Sequence, residues 1–107
     1  MTDCVFEDQG EGKFAITGPM TFATVTQLLE ESKQYFDEHP VITVDLAGVT
    51  QGDSAGLALL LEWVNWAKYY VHEIRYQNIP PQILSIAQIS EVDEMLQAGE
   101  RWLAPAR

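Results

Sequence analysis

No stretch of this chain is more restrictive than Val41 to Val71, VITVDLAGVTQGDSAGLALLLEWVNWAKYYV. It opens on a β-branched apolar run, Val41 to Leu46, whose composition suits a strand buried on both faces. A turn follows over Gly48 to Gly52. From Leu57 the apolar residues recur at steps of three and four: Leu57, Leu60, Leu61, Val64, Ala67 and Val71. That is a helical period. A buried strand therefore feeds a tight turn that opens a long helix.

The turn Gly52-Asp53-Ser54-Ala55-Gly56 puts small groups where a helix leaves N–H groups unpaired and where its dipole is positive. Asp53 or Ser54 can act as the N-cap. A well-capped helix needs no further explanation. Gly52, Ala55 and Gly56, however, leave the turn almost bare, so the Ser54 hydroxyl is expected to be open to a partner or a modifying enzyme.

Composition limits the possible partners. The 107 residues suffice for one domain (1–107) with one core. The net charge of −10 opposes direct binding to nucleic acid or to anionic lipid, both polyanions. A single cysteine, Cys4, excludes an intrachain disulfide and fits a reducing compartment. The acidic N-terminus lacks the basic and apolar regions of a signal peptide. The longest apolar run, Ala55 to Leu61, is far below the ~20 residues that span a bilayer. A soluble cytoplasmic protein is expected, meeting a membrane only through another protein.

Taken in order, Val5–Glu7 and Lys13–Thr17 read as a hairpin turning at Gly10 and Gly12, with Gly18-Pro19 ending the second strand. Thr21 is a candidate N-cap for a helix with Phe22, Val25, Leu28, Leu29, Tyr35 and Phe36 on one face. His39-Pro40 stops it. After the central strand and helix, His72–Tyr76 reads as a strand with Ile74 and Tyr76 on one face. Pro80-Pro81 starts a short helix. Ser90-Glu91-Val92-Asp93 resembles a capping box opening a last helix that ends near Gly99. Residues 101–107 read as a loose tail pinned by Trp102-Leu103. The strand–helix–strand crossover requires a parallel or mixed sheet. The fold class is α/β: about four strands in a mixed sheet, with helices packed mainly on one face.

With this order in place, Val44-Asp45-Leu46-Ala47-Gly48-Val49 followed by Asp53-Ser54-Ala55-Gly56-Leu57 resembles the signature of STAS domains. In that family a strand ends Asp-Leu-x-x-Val and a helix opens Asp-Ser/Thr-x-Gly-Leu. Anti-sigma factor antagonists and the cytoplasmic domains of sulfate transporters belong to it. The continuation Gly56 to Leu61 is most similar to the small STAS subunit of the Mla phospholipid-transport ABC complex. The resemblance implies that Ser54 lies at a contact with the cytoplasmic ATPase. In the antagonists a hydroxyl of this motif accepts phosphate from a kinase. Ala55 removes a second hydroxyl, leaving Ser54 as the candidate acceptor.

No catalytic constellation accompanies the motif. His39 and His72 have no Cys or second His at ligand spacing, so no zinc site is expected. Cys4 reads as a passive thiol. There is no Walker-type loop, so the chain should not hydrolyse nucleotide. No metal and no cofactor is expected, and a stand-alone enzyme is the weakest reading.

Two stripes run along the long helix. One holds Leu57, Leu60, Leu61, Val64 and Val71. The other, about a third of a turn away, holds Leu59, Trp63, Trp66 and Tyr70. One must face the sheet. The second either packs on a neighbouring helix or stays open as an aromatic interface anchor. The expected partner surface is therefore Asp53, Ser54, Ala55, Gly56, Leu57, Leu59, Trp63 and Trp66. The expected role is a non-enzymatic STAS subunit that binds the ATPase of a Mla-type phospholipid transporter and so serves outer-membrane lipid asymmetry. The alternative is an anti-sigma factor antagonist switched by a kinase at Ser54.

Overall fold

The computed structural model describes residues 4–97. β1 (Val5–Gly10) and β2 (Lys13–Met20) form the hairpin, and α1 (Val25–Ser32) with a 3-10 turn (Phe36–Glu38) leads to β3 (Val41–Gly52). Then come α2 (Ser54–Tyr70), β4 (Glu73–Gln77), α3 (Pro81–Ile89) and α4 (Asp93–Gln97). The sheet order is β1-β2-β3-β4, with β1 antiparallel to β2 and both other pairs parallel. The four-stranded mixed sheet is the expected architecture; beside the expected crossover from β3 to β4, a second one through α1 joins β2 to β3. The predicted helix end near Gly99, the predicted anchor Trp102-Leu103 and the predicted 101–107 tail lie outside the described residues.

The central strand differs from its expected form in two ways. Ile42, Val44 and Leu46 are buried, but Val41 is exposed and Thr43 and Asp45 are only half-buried. β3 is thus covered on one face, not two. β2 alternates in the same way, with Phe14, Ile16 and Met20 fully buried and Lys13 and Thr17 exposed. The covered face forms one core with Leu28 of α1, Leu60 and Val64 of α2, Ile83 and Ala87 of α3, and Leu96 of α4. Strands in a two-layer domain need an apolar residue only at every second position.

β3 also continues through the segment expected to turn. Thr17 pairs with Gly48 and Met20 with Gly52, so a parallel ladder carries residues 48–52 as strand. Gly18-Pro19 accordingly does not end β2. The ladder with β1 extends only to Thr17, so Pro19 lies where β2 has a neighbour on one side and its missing N–H costs little. A register shift opposite Ala15 and Thr17 bulges β3. There Asp45 Oδ1 accepts the N–H of Ala47 (2.9 Å) and an N–H of the Asn78 amide (2.9 Å). These two bonds hold the Asp45 carboxyl below its ordinary range, the Asn78 bond first.

The first helix is shorter than its apolar spacing implies. Thr24, not Thr21, is its N-cap. The Thr24 hydroxyl donates to the Pro19 carbonyl at 2.8 Å and accepts the Thr21 N–H at 3.0 Å, which winds residues 21–24 into a separate turn. Phe22 sits on that turn and is 85% exposed, so it is not a core residue. Tyr35 and Phe36 fall beyond α1, at the 3-10 turn. Ser90 is likewise not the cap of α4: its N–H bonds to the Ile86 carbonyl at 3.0 Å, which makes it the end of α3.

Candidate functional site

Asp53 is the N-cap of α2. Its Oδ1 accepts the N–H groups of Ala55 (2.9 Å) and Gly56 (3.2 Å), and its Oδ2 accepts the N–H of Phe22 (3.2 Å). One half-buried carboxylate therefore satisfies two orphan donors at the start of α2 and binds the β2–α1 turn to it. Two glycines let the backbones approach this closely. A Cβ on Gly56 would lie 2.5 Å from the Met20 carbonyl oxygen, and one on Gly52 would lie 2.5 Å from Ile83 Cγ1.

Ser54, the first residue of α2, is exposed. Among the described residues its hydroxyl has no hydrogen-bond partner. Asp53 and Ala55 beside it are half-buried, and Gly56 is buried. Phe22 belongs to this surface, because its N–H is fastened to Asp53. Sequence reasoning missed it by assigning it to the apolar face of a helix. The signal lay in Thr24, a second N-cap candidate, after which α1 starts at Val25, three residues past Phe22.

The aromatic stripe goes elsewhere. Leu59 (5% exposed) and Trp63 (2% exposed) are core residues, as is Leu57. The three are buried and form no open face beside Ser54, which corrects their assignment to the partner surface. Trp63 packs edge-on to Phe36, with centroids 5.2 Å apart, and its indole N–H donates to the buried Ser32 hydroxyl at 2.9 Å. That hydroxyl in turn donates to the Leu29 carbonyl at 2.7 Å. The second stripe is thus the seam between α2 and α1, with the indole N–H satisfied as a buried donor must be. Only its far end stays accessible: Trp66 is half-buried and Tyr70 exposed.

Among the described residues no cluster of three His, Cys, Asp or Glu could hold a metal ion. His72 stacks on Trp66 at 4.5 Å and donates from Nδ1 to the His39 carbonyl at 2.6 Å. Cys4 is buried, and that burial, with help from Glu31, pushes its thiol up. No described helix is long and apolar enough to cross a membrane.

A one-faced mixed sheet with a capped, bare turn at the start of its longest helix defines an α/β domain of the STAS class. The chain matches the sequence model of the family described as "Mlab, STAS domain" over residues 5–97, and it belongs to that family. Among curated proteins, none matches the sequence. Among solved structures, the anti-sigma factor antagonist SpoIIAA in its unphosphorylated form is similar at TM-score 0.67 and 17% identity, over 89% of this chain and 86% of that one. The phosphorylated form of the Bacillus cell fate determinant SpoIIAA is similar at TM-score 0.66 and 15% identity, over 89% of each chain. A sulfate transporter family protein from Wolinella succinogenes is similar at TM-score 0.66 and 15% identity, over 88% of this chain and 77% of that one. At such identities the similarity is one of fold.

Proposed function

We propose that the chain is a non-catalytic cytoplasmic subunit that docks on the ATPase of a Mla-type phospholipid ABC transporter, through the turn at the start of α2. The observation that carries this reading is the open Ser54 hydroxyl, set on a turn that the Asp53 carboxylate caps. The family match and the exposed Phe22 beside the turn support it. Docking would bias the ATPase by binding one of its states more tightly than another. The transported lipid is reached only through the complex. Ser54→Arg should abolish co-purification with the ATPase while the isolated domain still melts cooperatively. Unchanged co-purification would refute the assignment.

The exposure of the same hydroxyl favours a second reading, an anti-sigma factor antagonist phosphorylated on Ser54. A helix N-terminus attracts phosphate by about 0.3–1 kcal/mol. Here the N–H groups of Ala55 and Gly56 are already held by Asp53, whose charge repels phosphate. Phosphate would therefore act by disrupting a partner contact, not by ordering the turn. Incubation with a cognate kinase and ATP, followed by intact-mass analysis, separates the readings. Stoichiometric phosphate on Ser54 favours the antagonist.

A further inference from the structure

A concave surface lies about 18 Å along α2 from Ser54, taking 1.5 Å per residue to Trp66. It is a groove of about 440 Å³ between α1, the 3-10 turn and the C-terminal half of α2. That size lies within the roughly 300–1,000 Å³ of small-molecule sites. Phe36 and Trp63, both buried, form its floor, and Trp66 and Tyr70 form a wall. The rings are set at angles to one another: Phe36 and Trp66 at 45°, Trp66 and Tyr70 at 44°, each pair 5.9 Å apart. His72 does not line the groove, yet it stacks on Trp66 and backs that ring from outside. The Ser32 hydroxyl holds Trp63. The aromatic surface is thus fixed before any ligand arrives.

The charges at the groove select its ligand. Asp37 and Glu62 line it and are exposed, so they form its rim, with Asp37 Oδ1 also 3.9 Å from His72 Nε2. The lining cation, Lys33, is turned to Glu30, with Nζ 3.6 Å from the carboxylate. Aromatic faces carry negative potential and attract cations, most strongly when several rings converge. We infer that this groove is a binding site for a small organic cation of the quaternary-ammonium type, held against Trp66 and Tyr70 with Asp37 and Glu62 neutralising it. The methyl groups of such an ion suit the apolar floor. An anion meets the two rim carboxylates, and among the described residues no cluster of three ligating side chains could hold a bare metal ion.

The test is a titration of the full chain with tetramethylammonium chloride, followed through the indole N–H resonances of Trp63 and Trp66. Saturable shifts are expected that sodium chloride at equal ionic strength does not produce. Choline should bind, and its uncharged isostere 3,3-dimethyl-1-butanol should bind at least about tenfold more weakly, because the cation–π attraction is lost. Glu62→Gln, an exposed change, should weaken tetramethylammonium by about two- to fivefold, the weight of a surface charge pair. Trp66→Ala should remove binding. Shifts matched by sodium chloride, no shifts at all, an isostere as tight as choline, or affinity unaltered in either variant would each overturn the site. Because Glu62→Gln leaves the core untouched, failure of Trp66→Ala to fold does not shield the inference.

Discussion

The carboxylate of Asp53 holds the backbone N–H of Phe22 at 3.2 Å, across 31 residues of sequence. The same side chain caps α2. One residue thus sets the position of the open hydroxyl at Ser54 and of the large apolar group beside it. The candidate docking surface is discontinuous in the chain and continuous in space because of this contact.

Asp53→Ala should therefore cost more than a simple cap. Loss of a capping side chain costs about 0.5–2 kcal/mol, and the tie to Phe22 adds to it. Asp53→Asn keeps one oxygen for Ala55 and Gly56, but its amide nitrogen cannot accept from Phe22. An intermediate loss of about 1 kcal/mol is expected. Urea unfolding of the three proteins gives the order, and equal losses for both variants would show that the Phe22 bond contributes nothing.

Gly56→Ala opposes two effects. Alanine favours helix over glycine by about 1 kcal/mol. The new methyl group, however, would meet the backbone of Met20 at 2.5 Å and Ile83 Cδ1 at 3.2 Å. Overpacking against backbone should win, with a net loss of about 1–3 kcal/mol. Ser54→Ala, an exposed change, should stay within about 0.5 kcal/mol of the parent. A more stable Gly56→Ala protein would mean that α2 and β2 are further apart than described.

Val71 ends α2 in the left-handed conformation, at φ 61° and ψ 46°, and is 75% exposed. A β-branched residue there costs roughly 1–2 kcal/mol, and little packing offsets it. Val71→Gly should raise stability by about 1 kcal/mol, less whatever glycine adds to the entropy of the unfolded chain. A thermal melt checks the sign.

Asp45 supplies a pH dependence. Its bonds to Asn78 and Ala47 hold its folded pKa below the unfolded value of about 3.9. The ionised form is favoured in the folded state, so the contribution is present above that value and is lost as pH falls through the folded pKa. Asp45→Asn should flatten the acid limb of a stability–pH curve by lowering stability at neutral pH, and should leave stability nearly unchanged below the folded pKa. A parallel downward offset at all pH values would instead assign Asp45 a role independent of its charge.

Much of this was readable along the chain, because local chemistry specifies local structure. The 3.6-residue period of α2, the short polar side chain of Asp53 ahead of it, and Pro80-Pro81 before α3 act within one or two turns of backbone. Phe22 was misplaced because its apolar character fits a helix face that Thr24 prevents from forming. Val41–Leu46 was misread because β-branched composition alone does not show whether a second layer covers the sheet. The aromatic stripe was the open case, since a periodic pattern shows that residues share a face but not what that face meets.

The residues by themselves determined the order of elements, the parallel or mixed sheet that the crossover from Val41–Leu46 to His72–Tyr76 requires, and the bare capped turn that displays Ser54. Only the tertiary structure decided that Leu59 and Trp63 are buried, with α1 holding the Trp63 indole, that the Phe22 backbone is tied to the turn bearing Ser54, and that Trp66 and Tyr70 border a groove. The reason is range: capping and periodicity act between neighbours in sequence, whereas burial depends on which distant segment fills the adjacent space.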